Sequence, residues 1–110
     1  MRLLALPIVG VRLGVAQAGI KYAGRDDLAL IEIAQGSTTA AVFTQNAFRA
    51  APVLVAERNN AAQDARYLLI NSGNANAGTG QPGMIACEQS CDDVARLTES
   101  DARRVLPFST

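Results

Sequence analysis

Chemistry in a chain without an imidazole has to come from amides, hydroxyls, thiols, carboxylates or amines, and this sequence contains no histidine. A serine triad and a histidine-ligated zinc site are therefore excluded within the chain. The stretch with the most chemical content is Asn71-Ser72-Gly73-Asn74-Ala75-Asn76-Ala77-Gly78-Thr79-Gly80, set between the apolar run Tyr67-Leu68-Leu69-Ile70 and a helix-like segment. Its glycines free the backbone for positive φ, its asparagines supply amide donors and acceptors and tolerate the left-handed region, and its alanines keep the side chains short. Such a loop brings main-chain N–H groups close to a ligand, and its place ahead of a helix N-terminus favours negative charge. The same composition also suits a turn that merely reverses the chain. It is not a Walker A loop, because Gly80 is followed by Gln81-Pro82 and no lysine, and its glycines lack the dinucleotide-binding spacing.

Other reactive types are less suggestive. Cys87 and Cys91 fall on one face of a helix, but two thiols without further ligands make no structural metal site, and free cysteine belongs among the most buried residue types. Adjacent Asp92 and Asp93 point about 100° apart on a helix and read as a solvated face rather than an acid/base pair. Lys21 is a candidate ligand cation, although a turn lysine is more commonly just solvated. No metal or cofactor is expected.

The elements that must position these residues fit one domain. At 110 residues the chain can hold a core, burying roughly two-thirds of its unfolded surface. Charged residues are 18% of the sequence, against about 25% in typical domains, which suggests surface reserved for a partner. Zero net charge and 5% aromatics argue against nucleic acid. The cysteine usage fits a reducing, cytoplasmic compartment. Met1 to Val15 with Ala16-Gln17-Ala18 has the outline of an export signal, but Pro7, Gly10, Arg12 and Gly14 interrupt its apolar centre, and it is too short to span a membrane. A first strand near Val11 to Ala18 is expected instead.

Alternation in Leu28-Ala29-Leu30-Ile31-Glu32-Ile33 predicts a second strand. Thr38-Thr39-Ala40-Ala41-Val42-Phe43-Thr44 is β-branched and aromatic, which predicts a hairpin with it. Pro52 opens a helix that Asn59-Asn60 closes. The apolar run 66–70 predicts a strand covered on both faces. From Met84 to Thr98 a helix presents Met84, Cys87, Cys91, Val94 and Ala95 as one stripe with Leu97 beside it. A helical turn then precedes the apolar run 105–110. Strands and two helices together give an α/β (α+β) fold, a layered sandwich of mixed sheet and helices.

Four stretches together resemble the amino-terminal region of the glutamate N-acetyltransferase, or ornithine acetyltransferase, family of arginine biosynthesis. They are Ala18-Gly19-Ile20-Lys21 with Asp27-Leu28-Ala29-Leu30-Ile31; Val42-Phe43-Thr44-Gln45-Asn46 with Ala50-Ala51-Pro52-Val53; the whole of Asn71 to Gly80; and Val105-Leu106-Pro107-Phe108-Ser109-Thr110. Order and spacing match from about Val11 onward, while Met1 to Val9 match poorly.

The resemblance implies a precursor that cuts itself into two chains, with a threonine at the new amino terminus as nucleophile. That threonine takes acetyl from N-acetylornithine and passes it to glutamate, and some members also use acetyl-CoA as a substrate. Covalent catalysis of this kind needs no histidine, because the terminal amine serves as the base. In the family the oxyanion is held by the threonine and glycine of a Ser-Thr-Gly segment. Ser109-Thr110 matches its first two positions, so the resemblance assigns Thr110 to the oxyanion hole. The Asn/Gly loop is then expected near it, shaping the acetyl pocket, with Asn74 important for turnover.

The sequence ends at Thr110, so the glycine of the oxyanion hole, the cleavage motif and the nucleophile lie outside it. Residues 1–110 are thus expected to form a single incomplete domain, the amino-terminal part of the first chain, inactive alone. Its expected partner is the missing remainder, in a heterotetramer of two first and two second chains. Two rivals stand beside this reading: a small soluble module whose Asn/Gly loop captures an anion without catalysis, and an amidase or aminopeptidase of similar fold.

Overall fold

The computed structural model describes residues 8–110. The export-signal outline begins in residues 1–7, outside the described residues. Four strands form one mixed sheet in the order β1 (Val11–Ala16), β2 (Leu28–Ile33), β3 (Tyr67–Asn71) and β4 (Val105–Ser109). β2 runs antiparallel to both β1 and β3, while β3 and β4 are parallel. Helix α1 (Ala51–Ala62) precedes β3, and α2 (Gly80–Thr98) with a 3-10 turn at Ala102–Arg104 connects β3 to β4. This is the mixed sheet with helices that the sequence predicts.

The core lies between the helices and one sheet face. Tyr67, Leu69 and Val105 are buried there against Val55 of α1 and Cys87, Cys91 and Val94 of α2, with Leu28, Leu30 and Met84 at the margin. The thiols therefore sit in the core as expected, and the Cys91 thiol donates to the Val105 carbonyl over 3.9 Å. Leu97 departs from the expectation, being 78% exposed, because it falls outside the 83-87-91-94 stripe that meets the sheet. Pro107 is tolerated in β4 because this strand lies at the edge of the sheet formed by the described residues, where none of their strands needs its N–H.

The opposite sheet face differs from the two-sided coverage expected of β3. Register places Leu13, Ile31, Leu68 and Leu106 in one cross-strand row and Val15, Ala29, Ile70 and Phe108 in the next. Only the β4 side is covered, where Ala56, Ala65 and Phe43 pack around Leu106. Leu13 and Phe108 remain 40% and 43% exposed, so a broad apolar face is left without a facing layer among the described residues.

Two further expectations fail. Residues 38–44 form no strand, and β2 pairs instead with β1 and β3. Their β-branched and aromatic character serves packing, with Phe43 against the Leu106 cluster, rather than a ladder. Nor do Asn59 and Asn60 close α1, which runs on to Ala62. Asn59 is 2% exposed, and its amide donates to the carbonyls of Val105 (2.9 Å) and Ala102 (3.3 Å). It ties α1 to the start of β4.

Candidate functional site

The Asn/Gly loop leaves β3 at the same sheet end where β4 finishes. There the parallel pairing runs past the strands: the Thr110 N–H donates to the Asn71 carbonyl at 2.9 Å, and the Gly73 N–H donates to the Thr110 carbonyl at 2.7 Å. Thr110 is exposed. Its hydroxyl has no hydrogen-bond partner among the described residues, which leaves it able to donate to a ligand.

A third segment closes over this junction. Asp27, immediately before β2, accepts from the backbone N–H groups of Ala18 (2.6 Å) and Ile20 (2.8 Å). Its own carbonyl accepts from the Ser72 N–H at 3.0 Å. The donors of Ala18 and then Ile20 hold the Asp27 carboxyl below the usual carboxylate range. The folded turn lays Lys21 over Gly73, which has φ +101° and whose absent Cβ would stand 2.9 Å from the Lys21 Cβ. Glycine is required at position 73 for conformation and space alike.

Between turn and loop lies a pocket of about 250 Å³, lined by Lys21, Tyr22, Arg25, Asp27, Gly73 and Thr110 among others. Lys21 Nζ lies 5.5 Å and the Arg25 guanidinium 5.2 Å from the Tyr22 ring centroid. Lys21, a candidate ligand cation or a solvated turn residue on sequence alone, is exposed and lines one cavity with Thr110.

The second half of the loop is built to hold its shape. Asn76, at φ 54°, accepts on its backbone side from Ala51 N at 3.4 Å. Its side-chain amide donates to the Gly83 carbonyl at 2.9 Å, and its side-chain oxygen accepts from the Thr79 hydroxyl. Gly83 is buried beneath this contact, where a Cβ would collide with Thr79 and Asn76. The Asn74 side chain accepts from the Asn76 N–H at 3.0 Å. Asn71, Asn74 and Asn76 also line a larger cavity of about 520 Å³, with Ser109 and Ser90 on its other walls.

The remaining candidates stay apart from this region or are inert. Burial, then the charge of Glu88, pushes the Cys87 thiol up to about 11, and burial, then Cys87, pushes Cys91 to about 12, which suppresses the reactive thiolate. Asp93 is engaged by Gln89 and Arg96 on the surface of α2. Among the described residues no three His, Cys, Asp or Glu side chains group as metal ligands, and no helix is long and apolar enough to cross a membrane. Sequence reasoning missed Asp27 and Asn59 as organisers. The signal for Asp27 was an acid directly before an alternating apolar strand.

This sheet, with its helices and loop, is the fold of solved arginine-biosynthesis proteins. It is similar to the crystal structure of arginine biosynthesis bifunctional protein argJ from Bacillus halodurans, with a TM-score of 0.86 and 29% identity over 93% of this chain and 53% of that one. It is also similar to ornithine acetyltransferase from Mycobacterium tuberculosis complexed with ornithine, with a TM-score of 0.85 and 35% identity over 93% and 56% of the two chains.

The chain belongs to the ArgJ family, whose sequence profile matches residues 12–110. It is 61% identical over 104 residues to the arginine biosynthesis bifunctional protein ArgJ of Methylococcus capsulatus, and 53% identical over 105 residues to that of Pseudomonas fluorescens. In both alignments 94% of this chain is covered, and it spans about a quarter (25%) of the relative's length, matching the amino-terminal part.

Proposed function

We propose that this chain is the amino-terminal part of a cytoplasmic acetyltransferase that moves acetyl from N-acetylornithine to glutamate, with Thr110 donating its hydroxyl hydrogen to the oxyanion. The observation that carries the reading is the junction at the sheet end, where bonds to Asn71 and Gly73 at 2.9 and 2.7 Å hold the Thr110 main chain and leave its hydroxyl without a partner among the described residues. The nucleophile is a threonine of the remaining polypeptide. Its oxygen attacks the acetyl carbonyl carbon while its proton passes to the neighbouring terminal amine. Negative charge collects on the carbonyl oxygen, where a preorganised donor acts most strongly. The C–N bond then breaks, ornithine leaves with the proton, and the glutamate amine takes acetyl from the threonine ester by the reverse path. Acetyl-CoA is a further donor in this scheme.

Two observations support a partner that completes the protein. The uncovered rows through Leu13 and Phe108, 40% and 43% exposed, form an apolar face of the kind that marks an interface. The chain also spans 25% of its curated relatives but 53% and 56% of the matched solved chains. Those solved chains are thus about half the curated length, as a precursor cut in two would leave them. The assembly we expect is two first and two second chains.

The test is co-expression of this chain with the remainder of the M. capsulatus relative, assaying acetyl transfer from N-acetylornithine to glutamate. Activity only in the mixture, lowered about 10²–10³-fold by Thr110→Ala, is the expected result. An inactive mixture with a stable, anion-binding monomer would favour a non-catalytic module.

A further inference from the structure

Asp27 is tied into the molecule more fully than a turn residue needs to be. Its N–H donates to the Ala16 carbonyl at 3.2 Å, its two carboxylate oxygens accept from the N–H groups of Ala18 at 2.6 Å and Ile20 at 2.8 Å, and its carbonyl accepts from the Ser72 N–H at 3.0 Å. One buried residue thus joins the exit of β1, the β1–β2 connection and the exit of β3. The next amide along the loop, Gly73 N–H, donates to the other side, to the Thr110 carbonyl at 2.7 Å. Ser72 and Gly73 are therefore held between Asp27 and Thr110, one rung beyond the pairs that Asn71 makes with Leu28 and Ser109. The last rung of a ladder frays most readily. Among the described residues no strand flanks β4 on its other side, so this rung is fixed from the Asp27 side.

We infer that Asp27 is a positioning residue for the acetyl transfer: its carboxylate pins the turn that keeps Ser72 and Gly73 in register, and through Gly73 it fixes the Thr110 main chain and the direction of the Thr110 hydroxyl. The inference rests on the acetyl-transfer reading. Asp27 does not do chemistry itself, because both of its oxygens are taken by Ala18 and Ile20. Its charge makes those two bonds stronger than a neutral acceptor would. An oxyanion donor helps only if it already points at the developing charge, and a displacement of about 1 Å can cost about 10²-fold in rate. Asparagine has the same shape, but its amide nitrogen would face a backbone N–H, donor against donor, so one of the two bonds is lost.

The test is a double-variant cycle on this chain assembled with the remainder of the M. capsulatus relative. kcat and KM for acetyl transfer are measured for wild type, Asp27→Asn, Thr110→Ala and the two changes together, and urea midpoints confirm that each assembly is folded under assay conditions. Asp27→Asn should lower kcat about tenfold and leave KM within about twofold. In the Thr110→Ala background the same change should alter kcat less than about twofold, because the donor it aims is gone. A general loosening of the fold would instead lower kcat equally in both backgrounds. That equality overturns the assignment, and so does an unchanged kcat for Asp27→Asn. Asp27→Ser, smaller and with one acceptor, supplies the same cycle where Asp27→Asn does not assemble. The two readings fail separately: a kcat indifferent to Thr110→Ala overturns the oxyanion role, whereas a Thr110 effect that adds to that of Asp27 overturns only the positioning role.

Discussion

Replacing Gly73 with alanine imposes two costs that a neighbouring glycine allows to be separated. The first is conformational: φ at Gly73 is +101°, and left-handed backbone costs an L-residue about 1–2 kcal/mol. The second is steric. The new Cβ would stand 2.9 Å from the Lys21 Cβ, an atom fixed to the backbone with no rotamer to escape into, and such overpacking costs about 1–3 kcal/mol. Gly78→Ala carries only the first cost, since Gly78 has φ +65° and no heavy atom within 4 Å of its Cβ direction. The two variants should therefore differ by about 1–3 kcal/mol in urea unfolding of the assembled protein, read as a shift in midpoint at constant slope. Equal midpoints for the two variants would refute the idea that close approach of Lys21 explains the glycine.

Three more outcomes follow from buried groups. The depressed Asp27 carboxyl contributes stability that is fully present above the ordinary aspartate pKa of about 3.9 and is lost as pH falls through its lower folded value; Asp27→Asn should flatten the acid limb of the stability curve, and an unchanged limb counts against the Ala18 and Ile20 bonds. Asn59→Ala removes the amide that donates to the Val105 and Ala102 carbonyls, which keep only the Cys91 thiol and the Val105 N–H as donors, and should cost about 1–3 kcal/mol in urea unfolding, with a loss under about 0.5 kcal/mol contradicting the tie. The thiols of Cys87 and Cys91, pushed up to about 11 and 12, should resist a disulfide reagent at pH 8 until denaturant is added; rapid native labelling would mean that the core opens there.

The local elements were legible where a pattern had one physical reading. Leu28 to Ile33 alternates, α2 carries a stripe from Cys87 to Val94, and the apolar run from Tyr67 can only be a buried strand or helix, too short for the latter. The pairing was not legible. Residues 38–44 have the composition of a strand, but composition does not specify a ladder, and Phe43 spends its apolar surface on Leu106 instead. Asp27 and Asn59 looked like turn and helix-end residues because Asp and Asn are commonest there; their partners lie on other elements, at Ala18 and Ile20 and at Ala102 and Val105. Thr110 was singled out by family resemblance, since a lone threonine carries no signal of its own.

What the sequence could not supply is the convergence, and the topology explains it. Because β2 is antiparallel to β1 and β3, Leu28 at its start lies beside Ala16 at the end of β1 and Asn71 at the end of β3. Because β4 is parallel to β3, Ser109 also finishes at Asn71. The β1–β2 connection with Lys21 and Asp27, the Asn/Gly loop and Thr110 are thereby forced to one end of the sheet, next to the carboxyl ends of its parallel pair. With β2 paired instead to residues 38–44, the register that sets the Lys21 turn over Gly73 would be lost. The cation, the hydroxyl and the Asn/Gly loop meet through the order of four strands, although 89 positions separate Lys21 from Thr110 in the chain (110 minus 21).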